Sequence, residues 1–162
     1  MTPLHEASFY GFEETAKALI ENGAKTSIKA VQDLTPLHNA ASSGQSNIVA
    51  LLIDKGADVE SPTTKKFTPL HCAAAGGHSK CVSTLLAMGA AINARDNTKE
   101  TPLHKAAAGG ENCEECLQVL LAKGADVNPT NEKGQTPLDL PIARNHTRLV
   151  DALKKNGAKT GS

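Results

Sequence analysis

Tryptophan is absent from this 162-residue chain, and only four side chains are aromatic: Phe9, Tyr10, Phe12 and Phe67. A core without large rings must be filled by Ala, Leu, Ile and Val, and small side chains imply closely packed helices. Net charge is also lacking, since 17 Lys and Arg balance 17 Asp and Glu. With no overall positive field, neither nucleic acid nor an anionic membrane is an expected partner. Long apolar runs are missing too, and a stretch such as Ile48 to Ile53 falls far short of the ~20 residues that span a bilayer. The N-terminus lacks the basic and apolar segments of a signal peptide. Four cysteines are too few for a disulfide scaffold of this length. The expectation is a protein without an export signal, intracellular and cytoplasmic, with the nucleus left open.

Catalytic motifs are missing as well. The chain has no Gly-rich phosphate loop, no nucleophile elbow and no His-Glu-x-x-His. An enzyme is not expected, and no cofactor is implied.

What the chain does have is a repeat. Thr-Pro-Leu-His begins at Thr2, Thr35, Thr68 and Thr101, and Thr-Pro-Leu-Asp at Thr136, with starts 33, 33, 33 and 35 residues apart. A second mark, Gly-Ala, recurs in register at Gly23, Gly56, Gly89, Gly124 and Gly157. Thr suits a helix N-cap, and Pro suits the first helical position, where its missing N–H is not needed. Gly11, Gly44, Gly77 and Gly110 supply left-handed C-caps, so the first helix of each unit lasts about two turns. A second amphipathic run, for example Asn47 to Ile53, ends before Lys55-Gly56. About ten polar residues then lead to the next Thr, too few for a helix and suited to a projecting turn.

Thr-Pro-Leu-His, Ala-Ala, Gly-His and Leu-Leu-x-x-Gly-Ala-Asp-Val-Asn together resemble the ankyrin repeat over essentially the whole chain. The resemblance implies an all-α solenoid of five stacked helix hairpins, with short helices lining a concave groove and β-turn fingers projecting beside it. It predicts one domain over 1–162, with repeats near 2–34, 35–67, 68–100, 101–135 and 136–160. Five units exceed the roughly three needed for stability.

The pattern breaks in three places. Unit one has no finger before it, which suits either a natural start or a longer array. Unit four carries two extra residues within Glu111 to Glu115. Unit five has Asp139 for His, Pro141 for Ala, Asn145 for Gly and Lys154 for Leu, the character of a terminal repeat that meets water.

Residues with possible chemistry all have structural readings. His5, His38, His71 and His104 stand at the third helical position, where an imidazole reaches back to the N-cap as Glu does in a capping box. Cys113-Glu-Glu-Cys116 has the gap of a zinc or redox half-site, but no second pair lies nearby. Counting back from Gly124 puts Cys116 at the core position of Ile48 and Cys81, with Cys113 in an exposed, oxidisable turn. Asn93 and Asn128 match the finger-start asparagine that the resemblance marks as a hydroxylation target, beside its plainer role of bonding backbone.

In proteins similar to this one, partner contacts come from residues just before Thr-Pro and from the two residues after Ala-Ala. The helix positions here are Phe9 and Tyr10, Ser42 and Ser43, Ala75 and Gly76, Ala108 and Gly109, Ala143 and Arg144. Among finger positions stand Val31, Leu34, Lys65, Phe67, Glu100, Glu132 and Lys133. Phe9, Tyr10, Leu34 and Phe67 are the expected anchors, with Val31 and Ser43 beside them and Lys65 at the rim. The Ala-Gly floor of units three and four would let a partner approach, and Glu100, Glu132 and Lys133 would orient it. The expected function is a monomeric adaptor, scaffold or inhibitor that binds another protein; the alternative is a targeting or regulatory module of a larger enzyme, channel or bacterial effector.

Overall fold

A proline at the first helical turn loses no hydrogen bond, because the N–H it lacks has no intrahelical partner. In the computed structural model, which describes residues 1–161, four Thr-Pro pairs accordingly open the helices α1 (Pro3–Tyr10), α3 (Pro36–Ser42), α5 (Pro69–Ala75) and α7 (Pro102–Ala108). Each is followed by a longer partner: α2 (Glu13–Glu21), α4 (Ser46–Asp54), α6 (Ser79–Ala87) and α8 (Glu114–Ala122). The fifth pair is α9 (Asp139–Ala143) and α10 (Thr147–Lys155). Here the helix begins three residues after Thr136 rather than at Pro137. Pro141 has no N–H to give the Pro137 carbonyl, so the first turn does not close.

Helix pairs stack in chain order, α1 on α3, α3 on α5, α5 on α7 and α7 on α9. The core is aliphatic, as the scarcity of rings requires. Leu37, Leu70 and Leu103 from the first helices meet Leu52, Leu85 and Leu120 from the second, all at most 1% exposed. Alanine pairs such as Ala40-Ala41 and Ala73-Ala74 are wholly buried between them. No strand occurs among the described residues, and none of their helices is long and apolar enough to cross a membrane.

Two devices join each repeat to the next. The first is an imidazole clasp. Nδ1 of His5, His38, His71 and His104 accepts the N–H of the Thr three residues earlier, at 3.3, 3.2, 3.2 and 3.1 Å. Nε2 of the same rings faces the carbonyls of Leu34, Phe67, Glu100 and Gln135 in the following finger, at 3.0 to 3.1 Å. A carbonyl accepts only, so Nε2 carries the hydrogen and Nδ1 the lone pair, which fixes the neutral tautomer. The Thr hydroxyls turn toward the same Nδ1, 2.8 to 3.0 Å away. In unit five Asp139 takes the place of the imidazole, its Oδ2 accepting the N–H groups of Thr136 and Gly161 at 2.7 and 2.9 Å.

The second device is a reach-back onto the free carbonyls at the C-terminus of each first helix. Gln45 Nε2 donates to Phe9 O at 3.4 Å and His78 Nε2 to Ser42 O at 3.0 Å. Cys113 Sγ reaches Ala75 O at 3.8 Å, and Arg144 donates to Ala108 O. The glycines make this possible. A Cβ on Gly44 would stand 2.8 Å from His78 Nδ1, and Gly44 also holds φ of +79°.

The clasp makes stability depend on pH. Burial holds His38, His71 and His104 below the ordinary imidazole value of 6.5, although the carbonyl bonds pull the other way. The unfolded chain therefore binds more protons below about 6.5, and stability falls as pH drops from there through the lowered native values. Urea midpoints taken from pH 7.5 to 5 are expected to fall in this window, by up to about 1.4 kcal/mol per pH unit for each histidine. A flat profile would show that these rings are free to ionise.

Candidate functional site

A finger must reverse direction in a few residues, and a short polar side chain that accepts from N–H groups two and four places on does this. Thr63, Asp96 and Asn131 occupy that position in successive fingers. Asp96 Oδ1 accepts Thr98 N–H at 2.8 Å and Glu100 N–H at 2.9 Å; Asn131 Oδ1 accepts Lys133 N–H at 2.9 Å and Gln135 N–H at 3.0 Å. Thr63 Oγ1 repeats the pattern with Lys65 and Phe67 at 3.3 and 3.1 Å. The first finger has Ala30 here and closes through a 3-10 turn at Val31–Asp33. Finger tips are tied in a row, Thr64 N to Gln32 O at 3.1 Å, Asn97 N to Lys65 O and Glu132 N to Thr98 O at 3.0 Å.

Between the second, third and fourth fingers lies a cleft of about 590 Å³, its walls including Lys65, Phe67, Glu100, Lys105, Glu132 and Lys133. Its centre is Lys105 of α7. The ammonium stands 2.7 Å from Asp96 Oδ2, contacts Glu100 Oε2 as well, and lies 4.5 Å from the centroid of the Phe67 ring. Asn131 Nδ2 holds the other Glu100 oxygen at 3.2 Å. Burial alone would lower the Lys105 pKa, but the hydrogen bonds to Asp96 and Glu100 outweigh it and raise the group above its usual value. Burial likewise would raise Asp96, yet its bonds from Lys105, Thr98 and the Glu100 N–H hold it below the ordinary carboxylate range. Lys105 and Asp96 are therefore both charged throughout the neutral range, and the ammonium lies against one face of Phe67, whose ring also meets His71 at 5.4 Å between centroids.

A second apolar feature stands on unit one. Phe9, Tyr10 and Phe12 are 43%, 64% and 58% exposed. Phe9 meets Tyr10 edge to face at 5.2 Å, and Tyr10 stacks on Phe12 at 5.9 Å.

These helix pairs, clasps and fingers define a repeat family, and the sequence bears the family's mark: the model for ankyrin repeats, built of three copies, matches residues 4–96 and again 88–162. The chain belongs to the ankyrin-repeat family. Ankyrin repeats are protein–protein interaction modules. No curated protein matches this sequence.

Set on the ankyrin-repeat frame, the expected contact residues separate into groups. Lys65, Phe67, Glu100, Glu132 and Lys133 come together in the cleft. Phe9 and Tyr10 sit together on unit one, and Val31 is 79% exposed at the first fingertip. Leu34 is half-buried beneath the His5 clasp, Ser43 Oγ donates back to Asn39 O at 2.7 Å, and both Glu100 oxygens are taken up by Lys105 and Asn131. On the floor of units three and four, Ala75, Gly76 and Gly109 are exposed, and the two glycines also leave room for the reach-back side chains. A Cβ on Gly76 would stand 2.6 Å from the His78 ring, and one on Gly109 would overlap Cys113 Sγ.

Cys113 is a correction. It was expected in an exposed turn, and is instead 2% exposed, because the inserted turn Glu111–Cys113 drives its thiol into the slot beside Gly77 and Gly109. Cys116 is a core thiol at 0% exposure, level with Cys81. Burial pushes Cys116 to about 12 and Cys81 to about 11, and raises Cys113 as well, so none offers a thiolate at neutral pH. Asn93 and Asn128 bond backbone: their Oδ1 atoms accept Asp126 N–H at 2.9 Å and Lys159 N–H at 2.7 Å.

Sequence reading missed Lys105, Asp96 and Asn131. The turn residues had a signal, an Asp or Asn four places before the residue preceding Thr-Pro. Lys105 had none, because its partners come from the finger before its helix and from the repeat before that.

Proposed function

We propose that this chain is a non-catalytic adaptor, scaffold or inhibitor that holds another protein against the fingers and first helices, working as a monomer inside the cell. The observation that carries the reading is the cleft around Phe67. An aromatic ring is held half-exposed by a lysine whose charge is already matched, so a partner gains apolar contact without having to neutralise Lys105. Lys65, Glu132 and Lys133 stand exposed around it as a charged rim, suited to selecting and orienting a partner. Phe9, Tyr10 and Val31 extend the contact toward unit one, while Leu34, Ser43 and Glu100 shape the surface from beneath. Five of the six histidines, His5, His38, His71, His78 and His104, turn Nε2 to a backbone carbonyl, which supports a role without turnover.

The test is affinity capture from cell extract with the wild type and the double variant Tyr10→Ala, Phe67→Ala, both checked for native helicity. Loss of both rings is expected to weaken the captured partner by about 2 kcal/mol or more, roughly thirtyfold in Kd. A partner that binds both proteins equally would remove this surface from the function.

A further inference from the structure

The aromatic trio of unit one is set among carboxylates. Glu6 lies one helical turn before Tyr10 on α1, so the two share a face, and Glu13 and Glu14 open α2 directly after Phe12. All three are exposed, and none takes part in an ion pair with a described residue. Lys17, one turn beyond Glu13, is the cation in reach along the helix, leaving the patch net acidic. Exposed ring faces with unpaired carboxylates around them match a cation carried on an apolar body: the charge sits over the rings and its N–H groups reach the carboxylates.

Two other occupants fit less well. Another helix pair stacked on unit one would need an apolar face on α2, as the inner repeats provide with Ile48, Cys81 and Cys116, each at most 1% exposed. At that position unit one has Thr15, which is exposed, with Glu14 before it. A second copy in a twofold dimer would bring Glu6, Glu13 and Glu14 against their own duplicates, a like-charge contact.

We propose that Phe9, Tyr10 and Phe12, ringed by Glu6, Glu13 and Glu14, bind an arginine- or lysine-bearing segment of the partner protein. The inference rests on the protein-binding reading and gives that partner its chemistry. Tyr10 is the only tyrosine and tryptophan is absent, so the intrinsic emission of the chain reports on this patch directly.

The probe is a displayed library of random twelve-residue peptides selected on the intact chain, with the enriched peptides then synthesised and titrated by Tyr10 emission and calorimetry. Enriched peptides are expected to carry Arg or Lys beside apolar residues and to quench or shift Tyr10 emission. Their affinity should fall tenfold or more for Glu6→Gln, Glu13→Gln, Glu14→Gln, fall similarly by calorimetry for Phe9→Ala, Tyr10→Ala, and weaken with salt. Peptides without basic residues, or indifferent to both variants but sensitive to Phe67→Ala, would overturn this inference and leave the Phe67 cleft as the binding site. A library yielding no binder at all would count against the protein-binding reading itself. Self-association in sedimentation that the aromatic variant abolishes would assign the patch to a second copy instead.

Discussion

Replacing His71 by Ala is expected to lower stability by about 3 to 4 kcal/mol, measured as the shift of the urea midpoint at pH 7.5. The ring is wholly buried, so its loss opens a cavity in a packed junction. The change also strands the Thr68 N–H, which costs about 1 to 3 kcal/mol when buried without a partner, and leaves the Glu100 carbonyl with the Asp96 N–H at 3.0 Å as its remaining donor. Unfolding is expected to centre on the junction between units three and four, because in a stacked array stability is a sum of repeat and neighbour terms. The effect should carry into function, since the same carbonyl belongs to Glu100 and the same ring lies against Phe67. A loss under 1 kcal/mol would mean that the clasp contributes little.

Lys105→Ala is the second large effect, expected at about 3 kcal/mol. Removing one partner of a buried ion pair leaves the other charge uncompensated. Here Asp96, its side chain 3% exposed, and Glu100, at 22%, would both lose their cation. The partial exposure of Glu100 puts the estimate at the low end for buried pairs. Phe67 would also lose the ammonium over its ring, and the cleft would lose its wall. Lys105→Arg, which keeps the charge, is expected to recover most of the stability. Equal loss in both variants would show that side-chain shape rather than charge holds the fingers. The Ala variant should also weaken partner binding, and it separates from Phe67→Ala by its stability cost.

The frame was legible because its signals are local. Thr-Pro, the left-handed glycines and the Leu-Leu runs each act within a few residues, and five copies in register set the order of the stack. His71 was legible in kind, as a residue reaching from its N-cap to the neighbouring loop. The cleft was legible only in part. Phe67 and Glu100 stand out as variable positions, but the ammonium that joins them comes from α7, and residues 67 and 105 meet only because two successive repeats lie side by side. Cys113 was misplaced for a related reason. An insertion usually loops outward, where added length is cheap, but Gly77 and Gly109 leave a slot that draws this one in. The start of α9 lies late because Pro141 has no N–H for the carbonyl four residues back, whereas the Thr-Pro pair alone points to a start at Pro137.

The recurring histidines are neutral donors committed to the finger carbonyls, which leaves recognition to side chains off the frame. Long-range nitrogen–proton correlation of the imidazoles at neutral pH tests it most directly. His5, His38, His71 and His104 are expected to show one tautomer, with hydrogen on Nε2 and a bare Nδ1. Hydrogen on Nδ1, or doubly protonated rings at pH 7, would contradict it.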